Sequence, residues 1–361
     1  MKLDNYAFIL NQIVAKTKAK IKLPTFFNAK NIIYPSKISI EQTSSEQTAI
    51  YKSSLISGEK LIDLTGGFGV DDLFFTKNFK NVVHCEINKD LSEIVKNNFK
   101  ELSINNITFE NDDSFEVLRH LNQQFDWIYI DPSRRSDSKG KVFMLKDCLP
   151  NVPKNLDFYF KYSQNILLKT APILDISAGL FELNNVKSIH IIAIENEVKE
   201  LLWIIEKGFT GQIEIKTINI KNNNSEIFNF YWNQNQLQPN YQLPYKYLYE
   251  PNAAIMKSGG FDEVAVEFNL SKLHNFSHLY TSNKKTVFPG RIFEIILILD
   301  YNKKEIKKHF ENQQANITIR NFSDTVENIR NKFKIKDGGN RYCFFTTDKN
   351  DKKIVLICTK I

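Results

Sequence analysis

The sequence predicts an α/β fold: a Rossmann-like, largely parallel sheet of about seven strands, preceded by a short helical region and followed by a smaller α+β part. Three observations predict it. Apolar strands alternate with helical segments from residue 60 onward, a Gly-rich turn follows the first strand, and a polar stretch with two prolines, residues 233–246, separates this run from a second alternating one. Strands alternating with helices require crossovers and so a parallel sheet. A chain of 361 residues exceeds one hydrophobic core and is expected to form two or three domains.

Residues 4–20 place Tyr6, Ile9, Leu10, Ile13 and Val14 at helical spacing, and a Lys-rich turn and Pro24 and Pro35 follow; residues 1–55 read as a helical region. Thr43 and Glu46 have capping-box spacing, which would open the helix TSSEQTAIYKSSLI ahead of the first strand. The alternation then runs strand KLIDL, helix 70–78, strand NVVHCEI, helix 89–100, strand ITFEN, helix 114–122 and strand DWIYID. It continues through ILLKTAPILDI and SIHIIAIEN, a helix EVKELLWIIEKG, and strands IEIKTINI and IFNFYWN, giving a domain at 56–235. Beyond the linker come VAVEFNL, RIFEIILILD, a basic helix KKEIKKHFENQ, ANITIRNF, a helix DTVENIRNKFKI and the hairpin-like RYCFFTTDKNDKKIVLICTKI, an α+β pattern.

Composition narrows the class. A hydrophobic content of 42% is globular, no apolar run reaches the roughly 20 residues a membrane span needs, and the N-terminus lacks a basic-then-apolar signal, so a cytoplasmic protein without a membrane segment is expected. Cys85, Cys148, Cys343 and Cys358 form no C-x-x-C pair and read as buried thiols. His274 and His278 are four apart but lack the H-E-x-x-H glutamate; they read as a solvated helix face, and no metal site is expected. Net charge is +7, unevenly spread: residues 1–40 hold seven Lys or Arg against one acid and residues 241–361 twenty against thirteen, leaving an acidic middle. Basic flanks around an acidic core suit a polyanionic partner.

The segment LIDLTGGFGVDD puts Asp63 at a strand end and Thr65, Gly66, Gly67 and Gly69 in the turn before a helix, where glycines admit a ligand close to the backbone. Gly67-Phe68-Gly69 is followed by Val70-Asp71-Asp72, so the dinucleotide fingerprint G-x-G-x-x-G is absent. Glu86 lies 23 residues after Asp63 at the end of the second strand, where a carboxylate can accept hydrogen bonds from a ribose diol. In FENDDSF, Asp113, or the adjacent Asp112, stands where an acceptor would meet an adenine amine, with Ser114 and Phe115 beside it. The fourth strand ends in Asp131-Pro132-Ser133-Arg134-Arg135. A carboxylate there can accept a hydrogen bond from a base or a proton, proline stiffens the turn, and arginine can stack on a base or pair with phosphate. No Cys lies in this loop to serve as a covalent nucleophile. Lys169 in ILLKTAPILDIS reads either as a substrate contact or as a snorkelling strand-end lysine, and IENEVKELL as an acidic helix start.

Asp63 and the Gly-rich turn resemble the first motif of class I methyltransferases. DPSRR resembles the D/N-P-P-x motif of nucleic-acid methyltransferases, with Arg134 in the fourth position as in the D-P-P-R variant of several RNA methyltransferases. Together DLTGGFG, Glu86, DDS, DPSRR, LLKTAPILDIS and IENEVKELL look like a bacterial, Bacteroidetes-type methyltransferase family with a THUMP-like C-terminal domain. YLYEPNAAIMKSGGFDEVAVEFNL is similar to that family's ferredoxin-like segment (236–285) and IKDGGNRYCFFTT to its THUMP-like unit (286–361). The resemblance implies a class I methyltransferase sheet, S-adenosylmethionine as cofactor and RNA as partner. It assigns the methionine end of the cofactor to Asp63, Thr65, Gly66, Gly67 and Gly69, ribose to Glu86, and adenine to Asp113 with Ser114. The target base falls to Asp131, Pro132 and Arg134, with Arg135 and Lys169 on the substrate side. The expected reaction is direct displacement at the sulfonium methyl, in which positioning dominates. The rival readings are a non-catalytic RNA-binding protein on the same fold and a methyltransferase for a protein or small molecule; an oxidoreductase is disfavoured by the glycine spacing.

Overall fold

The computed structural model describes residues 3–35, 40–41, 43–134, 144–222, 224–233, 237–310 and 313–361. The chain divides into two compact units, one of residues 1–190 and 200–213, the other of 191–199 and 214–361.

The first unit opens with helices α1 (Leu3–Lys22), α2 (Pro24–Asn28) and α3 (Glu46–Leu55). Ala15, Ala19, Leu23, Phe26 and Tyr34 are buried in one cluster with Phe68, Val70 and Phe74, so the N-terminal region seals the first strand-to-helix turn; the Phe26 and Phe68 rings lie 5.0 Å apart. The cap of α3 is Ser45, whose hydroxyl accepts from Thr48 N, and not Thr43 as the capping-box spacing suggests. Glu46 is taken away from that box because its carboxylate accepts from Thr25 N and Thr25 Oγ1, at 2.6 and 2.7 Å.

Strands β1 (Gly58–Asp63), β2 (Phe79–Cys85), β3 (Ile107–Glu110) and β4 (Trp127–Ile130) follow, connected by helices α4 (Val70–Phe75), α5 (Lys89–Glu101) and α6 (Ser114–Leu121). After β4 come a two-stranded ribbon, β5 (Ser133–Arg134) with β6 (Cys148–Leu149), helix α7 (Val152–Tyr159), strand β7 (Asn165–Thr170) and helix α8 (Ile176–Glu182). Strands β8 (Val186–Ile194) and β9 (Glu197–Glu206) complete the order β8-β9-β7-β4-β1-β2-β3, parallel from β7 through β3, with β9 antiparallel against β7. The strand order reverses between β1 and β4, so a crevice opens at the carboxyl ends of these strands.

One element departs from expectation: EVKELLWIIEKG is strand β9, not a helix. Its burial alternates little because both sheet faces are covered, and Glu195 and Asn196, with φ of +48° and +66°, form the tight turn that folds β9 back beside β7. The hydrogen-bonded order continues past β8 through two further strands, so it counts nine among the described residues rather than about seven.

In the second unit β10 (Glu214–Ile220) and β11 (Ser225–Tyr231) form an antiparallel hairpin. A seven-stranded sheet then has the order β13-β14-β12-β15-β18-β17-β16. Its strands are β12 (Tyr247–Pro251), β13 (Ser271–Lys272), β14 (Tyr280–Ser282), β15 (Gly290–Asp300), β16 (Asn316–Arg320), β17 (Arg341–Thr347) and β18 (Lys353–Lys360). Helices α9 (Ala253–Ser258) and α10 (Phe261–Glu267) follow β12, so much of VAVEFNL is helical. Helices α11 (Lys303–Phe310) and α12 (Val326–Phe333) bury Ile306, Phe310, Ile329 and Phe333 against Phe345, Val355 and Ile357. His274 and His278 lie on no helix; they sit in the irregular connection before β14, His278 at φ +52°. Cys85, Cys148, Cys343 and Cys358 are all buried. Among the described residues no helix is long and apolar enough to cross a membrane.

Packing of α8 onto the sheet depends on a missing side chain. A Cβ on Gly179 would lie 2.4 Å from the ring of Trp203, which is fully buried and donates to Thr170 Oγ1 at 3.0 Å. Gly179→Ala is expected to lower unfolding free energy by about 1–3 kcal/mol, read as a shift in the urea midpoint at unchanged slope.

Candidate active site

The turn from β1 to α4 is built around two buried groups. Asp63, 1% exposed, accepts from Thr65 N at 2.7 Å and Thr65 Oγ1 at 3.1 Å. A Cβ on Gly66 would meet the His84 ring at 2.2 Å, and one on Gly69, φ +73°, would meet Phe99 at 2.8 Å. These two glycines are thus fixed by packing as much as by any ligand; Gly67, φ +56°, is the one whose side-chain position is open. Its N–H donates to Glu86 Oε2 at 3.0 Å, and Asn88 N donates to Oε1 at 2.7 Å. Each Glu86 oxygen keeps a lone pair for a further donor.

At the end of β3, Asp113 caps α6 by accepting from Phe115 N at 2.9 Å, and Asp112 accepts from Asp113 N at 2.7 Å. Both acids, with Ser114 and Phe115, line one cavity of about 880 Å³ together with Thr65, Glu86 and Asp131. A second recess of about 280 Å³, lined by Asp63, Gly66, Gly67 and Ser44, shares Thr65, Asp131 and Ser133 with it. The Gly-rich turn and the acids at the ends of β2, β3 and β4 therefore border one crevice. Arg134 is described in its backbone only, as the end of β5, and Arg135 falls outside the described residues.

Asp131 is held from both sides. Its N–H donates to Thr65 Oγ1 at 2.7 Å, and its carboxylate pairs with the Lys169 ammonium on β7. Burial alone would lower the Lys169 pKa, but the carboxylates of Asp131, Glu200 and Asp71 outweigh it and raise it, so this lysine stays charged.

Beneath that pair lies a network the sequence reading missed. Lys52 on α3, fully buried, touches Glu200 on β9 at 2.8 Å, Asp71 on α4 at 3.1 Å and Ser44 Oγ at 3.0 Å. Asp71 also accepts from Tyr129 Oη at 2.7 Å and Ser44 Oγ at 2.9 Å. Burial works to raise the Asp71 pKa, yet Lys52, Lys169 and the two hydroxyls overcome it and hold Asp71 ionised. The signal in the sequence was the lysine of IYKSSL facing inward on an otherwise weakly amphipathic helix, which no single-sequence pattern separates from a solvated one.

A second buried set is shifted toward its neutral forms. Asp72 Oδ2 lies 2.6 Å from His84 Nδ1, both without exposure. Burial, with Asp71 adding repulsion, raises the Asp72 carboxyl well above its usual range, and burial lowers His84. Asp63 is raised likewise, by burial first and then by Asp72.

The cavity's titratable lining sets a selection rule. Glu86, Asp112, Asp113 and Asp131 outnumber Lys146 and Lys154, which disfavours a pyrophosphate and suits a cationic or neutral ligand rich in donors. Among the described residues no group of three or more His, Cys, Asp or Glu is placed to hold a metal ion.

Residues 247–289 match a ferredoxin-like domain and residues 290–360 a THUMP domain-like family. The crystal structure of a candidate methyltransferase from Porphyromonas gingivalis W83 is similar over 100% of this chain and 92% of its own, at 29% identity and a TM-score of 0.91. The chain has a methyltransferase fold followed by ferredoxin-like and THUMP-like parts. An rRNA methylase from Streptococcus thermophilus (13% identity, 45% of this chain, 94% of its own, TM-score 0.33) aligns with less than half of this methyltransferase-fold protein. So does the tRNA m1G37 methyltransferase of M. jannaschii (16% identity, 46% of this chain, 51% of its own, TM-score 0.34). No curated protein matches the chain in sequence.

Two outcomes follow for the buried groups. Lys52→Met strands Asp71 and Glu200 in the interior and is expected to cost about 3–5 kcal/mol in denaturant unfolding. For Asp72 the sign is opposite: a carboxyl whose folded pKa is raised carries no penalty below its unfolded value, about 3.9, and a growing one as pH rises above it. The stability of Asp72→Asn relative to wild type should therefore increase as pH is raised from 4 to 7; a constant or falling difference contradicts a raised Asp72 carboxyl.

Proposed function

We propose that this protein is a cytoplasmic S-adenosylmethionine-dependent methyltransferase that methylates a base in structured RNA by direct displacement. The observation that carries the reading is the convergence of Glu86, Asp113 and Asp131, from the ends of three successive strands, on one acid-lined cavity of about 880 Å³ beside the Gly67 turn. The likeness to the Porphyromonas gingivalis protein over the whole chain supports it, and the THUMP domain-like match at 290–360 supports RNA as the partner. The division of labour we assign is a helical region at 1–55, a catalytic domain at 56–235, a ferredoxin-like segment at 236–285 and an RNA-holding unit at 286–361.

The lining fits the cofactor by the chemistry of its donors and acceptors. Glu86 would hold the ribose diol with its remaining lone pairs, Asp113 with Ser114 the adenine, and Thr65, Gly66, Gly67 and Gly69, backed by Asp63, the methionine end. Repulsion of phosphate by Glu86, Asp112, Asp113 and Asp131 is consistent with a sulfonium and not with a dinucleotide. When bound, S-adenosylmethionine supplies an electrophilic methyl group. The protein's own task is to hold the nucleophilic atom of the base in line with it and to withdraw positive charge from the product. Asp131 is suited to this: one side of its carboxylate is engaged by Lys169, and the other can accept a hydrogen bond or proton from the base. Lys169, kept protonated, orients Asp131 and cannot itself be the base. Pro132 stiffens the turn, Arg134 assists at the base, and Arg135 contributes on the phosphate side.

Calorimetric titration with S-adenosylmethionine tests the cofactor assignment. Wild type should bind in the micromolar range, and Glu86→Ala should weaken binding at least tenfold, because it removes charge-assisted hydrogen bonds worth about 1.5–3 kcal/mol each; equal affinities would refute the Glu86 assignment. Lys169→Met should leave cofactor affinity within about twofold and lower kcat by about 10–100-fold, since it misorients Asp131 without touching the cofactor pocket.

A further inference from the structure

The second unit contains its own cavity, of about 620 Å³, lined by Trp232, Phe261, Phe276, His278, Glu263 and Lys272 among others. Nothing in the methyl-transfer reading uses it, and three features mark it as more than a gap in packing. The Phe261 and His278 rings are stacked at 3.5 Å and 16°, and His278 reaches that position with a left-handed backbone, φ +52°, that side-chain-bearing residues seldom adopt. Phe276 is 65% exposed, a large ring left in water beside this stack. The Lys272 ammonium, almost without exposure, is neutralised by Asp262, leaving Glu263 as a lining carboxylate with no salt bridge among the described residues.

These features define a ligand. Flat aromatic surfaces recruit a planar ring by stacking, in a way that tolerates ring identity. Asp262 and Glu263 against Lys272 give the lining a negative balance, which repels a phosphate group. A carboxylate partly withdrawn from water favours a ring with an exocyclic amino group, as guanine, cytosine and adenine carry; the N3–H of uracil lies between two carbonyl oxygens that the carboxylate repels. Burial raises the Glu263 carboxyl above its usual range, with Asp262 adding repulsion and backbone N–H groups and Lys272 opposing it. We propose that this cavity is a nucleobase-binding site that takes an unstacked, amino-bearing base of single-stranded RNA, with the phosphates left outside on the basic surface of residues 241–361. The proposal rests on the RNA reading only for the source of the base. Its test uses free nucleosides, so failure here and failure of methyl transfer are separate results.

The test is tryptophan fluorescence of the full-length protein titrated with guanosine, cytidine and uridine. Guanosine and cytidine should quench saturably, and uridine should bind at least about tenfold more weakly. Glu263→Gln should bring the three together, and Phe261→Ala should weaken all of them. Trp232→Phe should remove the signal, because Trp232 lines the cavity and Trp127 and Trp203 do not. No saturable quenching, equal binding of uridine, or a signal that survives Trp232→Phe would each overturn the assignment.

Discussion

A lysine with no exposure to water is tolerated only if its charge is met, and in the first unit Lys52 is met by two carboxylates from elements distant in the chain. Glu200 comes from the strand that turns back antiparallel beside β7, and Asp71 from the first turn of α4. Joining them to α3 fixes the N-terminal region, the Gly-rich turn and β9 in one arrangement. The Asp71 carboxylate then reaches Tyr129 on β4 and acts electrostatically on Lys169, which holds Asp131. The residue at the centre of the proposed chemistry is therefore positioned by a chain of buried charges that starts on a helix outside the sheet. Charge here is arranged for orientation more than for stability, since a buried ion network gains little over well-packed apolar side chains.

The sheet and the crevice were legible in the sequence because they are written in local signals. Asp63, Glu86, Asp113 and Asp131 each end an apolar strand, and in a parallel sheet with this order strand ends meet at one edge. Other features depend on tertiary context. The run from Glu197 to Glu206 has the composition of either a buried helix or a buried strand, and only the turn at Glu195 and Asn196 decides between them. Gly66 and Gly69 were read as giving access to a ligand, whereas His84, Phe99 and Val95 occupy the space a Cβ would need. Lys52 and Tyr129 carried no motif at all. Their role exists only after folding has brought α3, α4, β4 and β9 together.

Electrostatics divides the molecule's tasks. The cavity beside Asp131 has an acidic lining and rejects phosphate, while the Lys and Arg excess lies in residues 1–40 and 241–361. On the proposed reading, a polyanion is attracted by the flanks and repelled by the acid-lined cavity, and an uncharged base freed from its stack meets a favourable environment near Asp131. That separation accounts for an acidic middle inside a chain of net charge +7.

The most direct measurement of the central claim is transfer of label from methyl-tritiated S-adenosylmethionine to total RNA isolated from cells lacking this gene. The account predicts acid-precipitable label that is destroyed by ribonuclease, resists protease and is absent with Asp131→Ala. Label that resists ribonuclease and is released by protease, or no label with RNA while cofactor binding is intact, would contradict it.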